Sequence, residues 1–432
     1  MRNSGLFAIY TDYYDTMIKY DIRKLPNGLT AIAHRDHATR MVAVNMLYRV
    51  GSRNENPSRT GFAHLFEHLM FRGTRNVPDF DRPVQEACGE NNAFTNSDYT
   101  DYYMTLPKDN VETALWLESD RMTGLDISPE NLEAEKRVVI EEYSQRYLNQ
   151  PYGDMWMRLR AMAYKVHPYR WATIGLEPAH IADASLEDVR AFYERYYTPS
   201  NAIIAVAGDI AGQEALDLCE KWFGGIEAPA FVPDTIPAEP PQTEARRERV
   251  EADVPAVSVT VAFRMYGDRL SRCHYECDLI SDLLAGGTSS RLYLSLVKGK
   301  KLFSAANAYI SNDVDPGLFV VTGHLHEGVS PEQGEAAIWE ELRRMQTEPA
   351  SDYELEKVKN KFEAGIIFGE LNVMNKAMNL CYYEMLGDMS LLEGEIAIYR
   401  GLGAGDVMEA AGRIFTPENS STLIYVPVGG KR

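Results

Sequence analysis

The chain has 432 residues, 45% hydrophobic and 25% charged, with a formal net charge of -19. That length exceeds one ordinary core and points to two or more domains of a soluble globular protein. The acid surplus argues against a nucleic-acid partner and suits basic peptides or plain solubility, while no apolar run approaches the roughly 18 residues of a membrane span.

Met1 to Tyr20 carries one short apolar patch, Leu6 to Tyr10, among early acids, which is not the pattern of a secretory leader. The expected location is cytoplasmic. The scattered Cys88, Cys219, Cys273, Cys277 and Cys381 fit reduced thiols better than a disulfide framework. Met41 to Val50 is strand-like. A helix follows, expected to be capped by Thr60 and stopped by Gly73, with Phe62, Leu65, Phe66, Leu69 and Met70 giving it wide apolar sides.

That helix contains His64-Leu65-Phe66-Glu67-His68, an H-x-x-E-H inverzincin signature. Positions i, i+3 and i+4 share a helix face, so two imidazoles and a carboxylate enter one small volume. A lone histidine on such a face is more often a satisfied core residue. Glu67 between two of them makes burial without a cation expensive.

A second helix is expected from Pro129 to about Tyr147, with Ser128 as N-cap. Its inward stripe runs Leu132, Glu135, Val139, Glu142, flanked by Val138 and Tyr143. Glu135 and Glu142 are seven residues apart and share a face, and carboxylates in an apolar stripe call for a compensating cation. Surface pairing with Lys136 and Arg137 is the bland alternative. Glu141 is turned about 100° away, toward solvent. Two histidines and one carboxylate leave a zinc ion one open position, as catalytic sites do. His64, His68 and Glu142 are therefore assigned as ligands of one zinc per chain, Glu67 as general base, and Glu135 as a carboxylate that orients a ligand histidine.

Residues 226 to 250, rich in proline and charge, read as an extended linker. Beyond it the order of elements recurs, with strand-like Val257 to Phe263, a helix through Leu279 to Leu284, and a later helix opened by Ser351. The expectation is an α+β fold of two homologous domains, 18–225 and 251–432, each a mostly antiparallel sheet faced by helices and related by internal duplication. The second copy has Leu279, Ile280, Leu283 and Leu284 where the first has the histidine motif. It has Val358 and Gly365 at the offsets of Glu135 and Glu142.

Along nearly its whole length the chain resembles the M16 metallopeptidases, the group that includes pitrilysin, insulin-degrading enzyme and the mitochondrial processing peptidase. Gly61 to Thr74 is similar to that family's central motif, and Glu135 to Glu142 to the segment whose last Glu ligates zinc. Asn91 to Thr95, with Asp98, Thr100 and Tyr103, resembles its active-site edge strand. His167 to Gly175 and Pro199 to Gly208 also match. The resemblance implies a zinc metalloendopeptidase in which Asn92 and Ala93 bind substrate backbone by strand addition. It implies, too, a dimeric chamber that admits short or unfolded peptides.

Active members of the family take an Arg and, seven residues later, a Tyr from the second half. Here those positions are Val297 and Ser304, and Arg291 and Tyr293 are too closely spaced to replace them. The implied assembly is a heterodimer whose related M16 partner supplies that pair. A homodimer using Lys298, Lys300 or Tyr309 is the alternative. A non-catalytic scaffold or peptide-binding subunit is a further reading, though scaffolds lose ligands that this chain keeps.

Overall fold

The computed structural model describes residues 18–227 and 230–430. The apolar patch Leu6 to Tyr10 and Pro229 of the linker lie outside them. Eleven strands form two sheets. The first contains β1 (Tyr20–Lys24), β2 (Thr30–Arg35), β3 (Met41–Tyr48), β4 (Glu90–Thr95), β5 (Thr100–Pro107) and β6 (Ala202–Gly208), in the order β1-β2-β6-β3-β5-β4. The second contains β7 (Arg246–Ala252), β8 (Ser258–Arg264), β9 (Phe303–Ile310), β10 (Leu318–Leu325) and β11 (Ser420–Pro427), in the order β7-β11-β8-β10-β9.

Apart from β1 the two orders match strand for strand. Each sheet has one parallel pair, β2 with β6 and β7 with β11, and is otherwise antiparallel. The fold is thus α+β and duplicated, as expected. β6 is the unbroken apolar run Ala-Ile-Ile-Ala-Val-Ala-Gly with every residue buried, the pattern of a strand covered on both faces.

What covers those faces joins the halves. Helix Val373–Leu386, from the second half, lays Ala377, Leu380 and Cys381 on Ala43, Leu47, Ile203 and Ala205 of the first sheet. Helix Met155–Ala163, from the first half, packs Leu159, Met162 and Ala163 on Ala262, Val320, Leu423 and Tyr425 of the second. Each half lends a helix to the other's sheet.

The linker expected over 226–250 ends early, because residues 246–252 form β7. Its charged Arg246, Arg247, Glu248, Arg249 and Glu251 are compatible with an edge strand, which tolerates charge. The preceding stretch is fastened down as a strap. Asp234 accepts from Asn54 Nδ2 at 2.9 Å and from the Tyr196 hydroxyl at 2.8 Å. Glu239 accepts the backbone N–H groups of Lys165, Val166 and His167 at 2.7–2.8 Å. Among the described residues no helix is long and apolar enough to cross a membrane.

Candidate metal centre

The histidine motif lies on helix Phe62–Leu69, between β3 and β4. Thr60 is not its cap. Gly61 holds that position at φ +92°, where a Cβ would come within 2.8 Å of the Ile174 carbonyl oxygen, so only glycine fits. The free N–H groups at the helix start go instead to Glu55, a loop carboxylate that no capping pattern points to. Glu55 accepts from Gly61 N and Ala63 N, both at 2.9 Å. Burial pushes the Glu55 carboxyl up to about 8, against the pull of those N–H donors. Thr60 serves next door, accepting from Leu176 N at 2.7 Å and meeting His180 Nδ1 at 2.9 Å. The helix ends at Leu69, short of Gly73.

Helix Pro129–Tyr143 begins as expected, with the Ser128 side chain accepting from Asn131 N. It passes into a π-helical turn at Ser144–Leu148. Leu132, Glu135, Val139 and Tyr143 are buried, but Val138 is 44% exposed and does not belong to the inward face. Pairing of Glu135 or Glu142 with Lys136 is not what forms, since Lys136 bonds Glu133 at 2.7 Å and the Ala184 carbonyl. Glu141 is exposed and accepts from Gln145.

The two helices bring the predicted ligands together. Glu142 Oε2 lies 3.6 Å from His64 Nε2 and 3.3 Å from His68 Nε2. Donor atoms of all three residues fall within 4.8 Å of one another. Ligands about 2.1 Å from a tetrahedral ion stand about 3.4 Å apart, so the donor set fits zinc in type and spacing. His68 Nδ1 meets Glu135 Oε2 at 3.2 Å, and the other Glu135 oxygen accepts from Arg72. Arg146 holds the second Glu142 oxygen at 2.8 Å, leaving Oε2 to the histidines. His64 Nδ1 is buried with no hydrogen-bond partner among the described residues.

The charges divide the histidines. Burial, then the neighbouring His68, pushes His64 down to about 4. Burial acts the same way on His68, but Glu135 and Glu142 outweigh it and raise that imidazole to about 9. A cation held by these three residues would compete with the proton that Glu135 and Glu142 favour on His68. Glu67 is raised by burial, against the lowering pull of Thr95 and His68. With His68, Phe71, Arg72 and Glu135 it lines a cleft of about 350 Å3.

Strand β4 is the outer edge of the first sheet and runs beside this helix. Its Asn92 is exposed and Ala93 buried, and the Asn92 side chain covers the Ala93 N–H at 2.8 Å. The edge strand of the second sheet repeats the device, with Asn307 accepting from Ala308 N at 2.9 Å.

Two family descriptions match the chain. "Insulinase (Peptidase family M16)" covers residues 30–175 and "Peptidase M16 inactive domain" covers 183–362. The chain belongs to the M16 peptidase family. Its M16 relatives include the zinc protease PqqE of Helicobacter pylori, 29% identical over 95% of this chain and 93% of that protein. The mitochondrial-processing peptidase subunit beta of Saccharomyces cerevisiae is 26% identical over 80% of this chain and 78% of its own length. Among solved structures, a protease from Helicobacter pylori superposes with a TM-score of 0.89 at 29% identity, covering 95% of this chain and 100% of that one.

Val297 and Ser304, the positions expected to lack the Arg and Tyr of active M16 members, have structural partners of their own. Val297 packs on the core of the second half, and the Ser304 hydroxyl donates to the His324 carbonyl at 3.2 Å. Arg291 is clamped to Glu354 at 2.9 Å and Lys300 to Glu340 at 2.6 Å. Tyr309 lies half-buried on the core that the Met155–Ala163 helix shares with the second sheet.

Proposed function

We propose that this chain is a zinc-dependent endopeptidase that hydrolyses short or unfolded peptides within a dimeric chamber. The carrying observation is the convergence of His64, His68 and Glu142 with Glu67 beside them. His64, His68 and Glu142 would hold the ion, and Glu135, anchored by Arg72, would fix the His68 ring through Nδ1. When bound, zinc supplies Lewis acidity that polarises a peptide carbonyl and acidifies water at the open position.

Glu67 then takes the proton of the attacking water on its carboxylate and hands it to the leaving amine. Its upward-shifted pKa makes it a better proton acceptor than an ordinary surface glutamate. Asn92 and Ala93 on β4 offer an extended peptide a strand to pair with. The peptide must first displace the Asn92 side chain from the Ala93 N–H. Glu67→Gln should keep zinc and lower turnover by about 10²–10⁴-fold; a variant that still cleaves peptide at the parent rate would remove Glu67 from this role.

The assembly we favour is a heterodimer in which a related subunit brings the missing Arg and Tyr. Arg291, Lys300 and Tyr309 each have other partners, which weighs against their serving instead and leaves Lys298 as the homodimer's remaining candidate. Full peptidase activity from this chain alone would eliminate the heterodimer in favour of the homodimer. The non-catalytic scaffold predicts less than about half a zinc per chain after gentle purification. Five unpaired thiols suit a reducing compartment such as the cytoplasm.

A further inference from the structure

Away from the metal centre, the strap roofs a cavity of about 490 Å3 at the seam between the halves. Its walls include Ile236 and Pro241 of the strap, Arg264 and Tyr266 at the end of β8, and Arg413. Two acids also face it, and both are engaged elsewhere. Glu239 already accepts three backbone N–H groups. Asp315 is held by Arg53 and by His167 Nε2, each at 3.2 Å.

Arg264 has one loose counter-ion in Glu239, and Arg413 has none among the described residues. Arg264 is 3.7 Å from Glu239, and its buried Nε has no hydrogen-bond partner. Burial lowers its pKa accordingly. Arg413 lies over the Tyr266 ring at 3.8 Å and pairs with no carboxylate among the described residues. A buried donor left unmade is costly, and the planar guanidinium fork matches carboxylate and phosphate oxygens. Arg264 and Arg413 are balanced in number by Glu239 and Asp315, but both acids are already engaged by other donors.

We propose that the seam cavity binds a small organic anion, its carboxylate or phosphate between Arg264 and Arg413 and its apolar body against Tyr266 and the strap. Such a ligand would tie the strap to the second sheet. It is independent of the peptidase reading, since no residue of the metal centre lines the cavity.

The test is titration calorimetry of the full, zinc-loaded chain at fixed ionic strength with three probes: benzoate, phenyl phosphate and benzyl alcohol. At least one anion should bind saturably, and the one that does identifies the head group, while the neutral alcohol should give no saturable heat. Arg264→Gln and Arg413→Gln should each weaken that binding at least about tenfold. Arg413 is exposed, so its variant keeps the test open should the Arg264 variant fold poorly. Absence of saturable binding by either anion overturns the proposal, as does binding that Arg413→Gln leaves unchanged.

Discussion

Helix Phe62–Leu69 lies between β3 and β4 as helix Arg272–Ala285 lies between β8 and β9, and the contents of the two differ in kind. The first turns His64, Glu67 and His68 toward Glu142; the second buries Leu279, Ile280, Leu283 and Leu284 in an apolar core. Their partner helices differ in step, with Glu135 and Glu142 in one and buried Val358 and open Gly365 in the other. Yet both edge strands keep the Asn–Ala pair in which a side chain covers the next N–H. Backbone geometry was retained where the ligand set was not. A histidine–carboxylate cluster and a packed core are alternative ways of filling the space between two helices.

The sharpest way to break the comparison is to delete one side chain from each version. Glu142→Ala should abolish stoichiometric zinc and reduce peptidase activity to background, leaving two imidazoles beside an uncompensated Arg146. Val358→Ala should leave zinc content unchanged and cost about 2 kcal/mol of stability, as a small core cavity does. Metal analysis and denaturant unfolding read both. Equal zinc in both variants would place the ligand elsewhere.

Protonation gives the next effect. With His68 near 9 before metal arrives, zinc affinity should fall about tenfold per unit as pH drops from about 8 to 6, with close to one proton released on binding. The metal-free protein has the opposite dependence. A folded pKa above the ordinary 6.5 gives stabilisation that is complete below 6.5 and is lost as pH climbs toward 9. Leu279, Ile280, Leu283 and Leu284, which fill the corresponding place in the second half, carry no titratable group. Zinc affinity that is flat across this range would mean that the His68 proton does not compete.

Glu55 tests how the motif helix is held. Glu55→Ala strands two buried N–H donors, with an expected cost of about 2 kcal/mol and zinc binding weakened about tenfold. Glu55→Gln keeps one acceptor and should recover part of both. Unaltered zinc affinity in the alanine variant would show that the cap stabilises the helix without aiming its histidines. The smallest effect belongs to Glu141→Ala, next to a proposed ligand but facing water, which should change zinc content and stability within error. Loss of zinc there would move the assignment by one residue.

The centre of the site was legible because its pieces are local. One helical turn fixes His64, Glu67 and His68, and a heptad offset within an apolar stripe fixes Glu135 and Glu142. The supporting groups were not. Arg72 and Arg146 are exposed charges whose partners are set only when two helices meet. Glu55 sits in a loop whose role depends on the left-handed turn at Gly61, and that turn is fixed by the close approach of Ile174 from more than a hundred residues away. Thr60 was the natural cap by residue type and lost the place to that tertiary contact. Duplication was readable from element order, whereas the strand at Arg246–Ala252 was hidden by its charge, which an edge tolerates.

The reciprocal loan of helices bears on how this polypeptide could ever be divided. Separating the copies would strip Ala377, Leu380 and Cys381 from one sheet and Leu159, Met162 and Ala163 from the other, laying bare two oily faces at once. Neither lobe is a free-standing module, so the half without the histidine motif remains an obligate folding companion of the half that carries it.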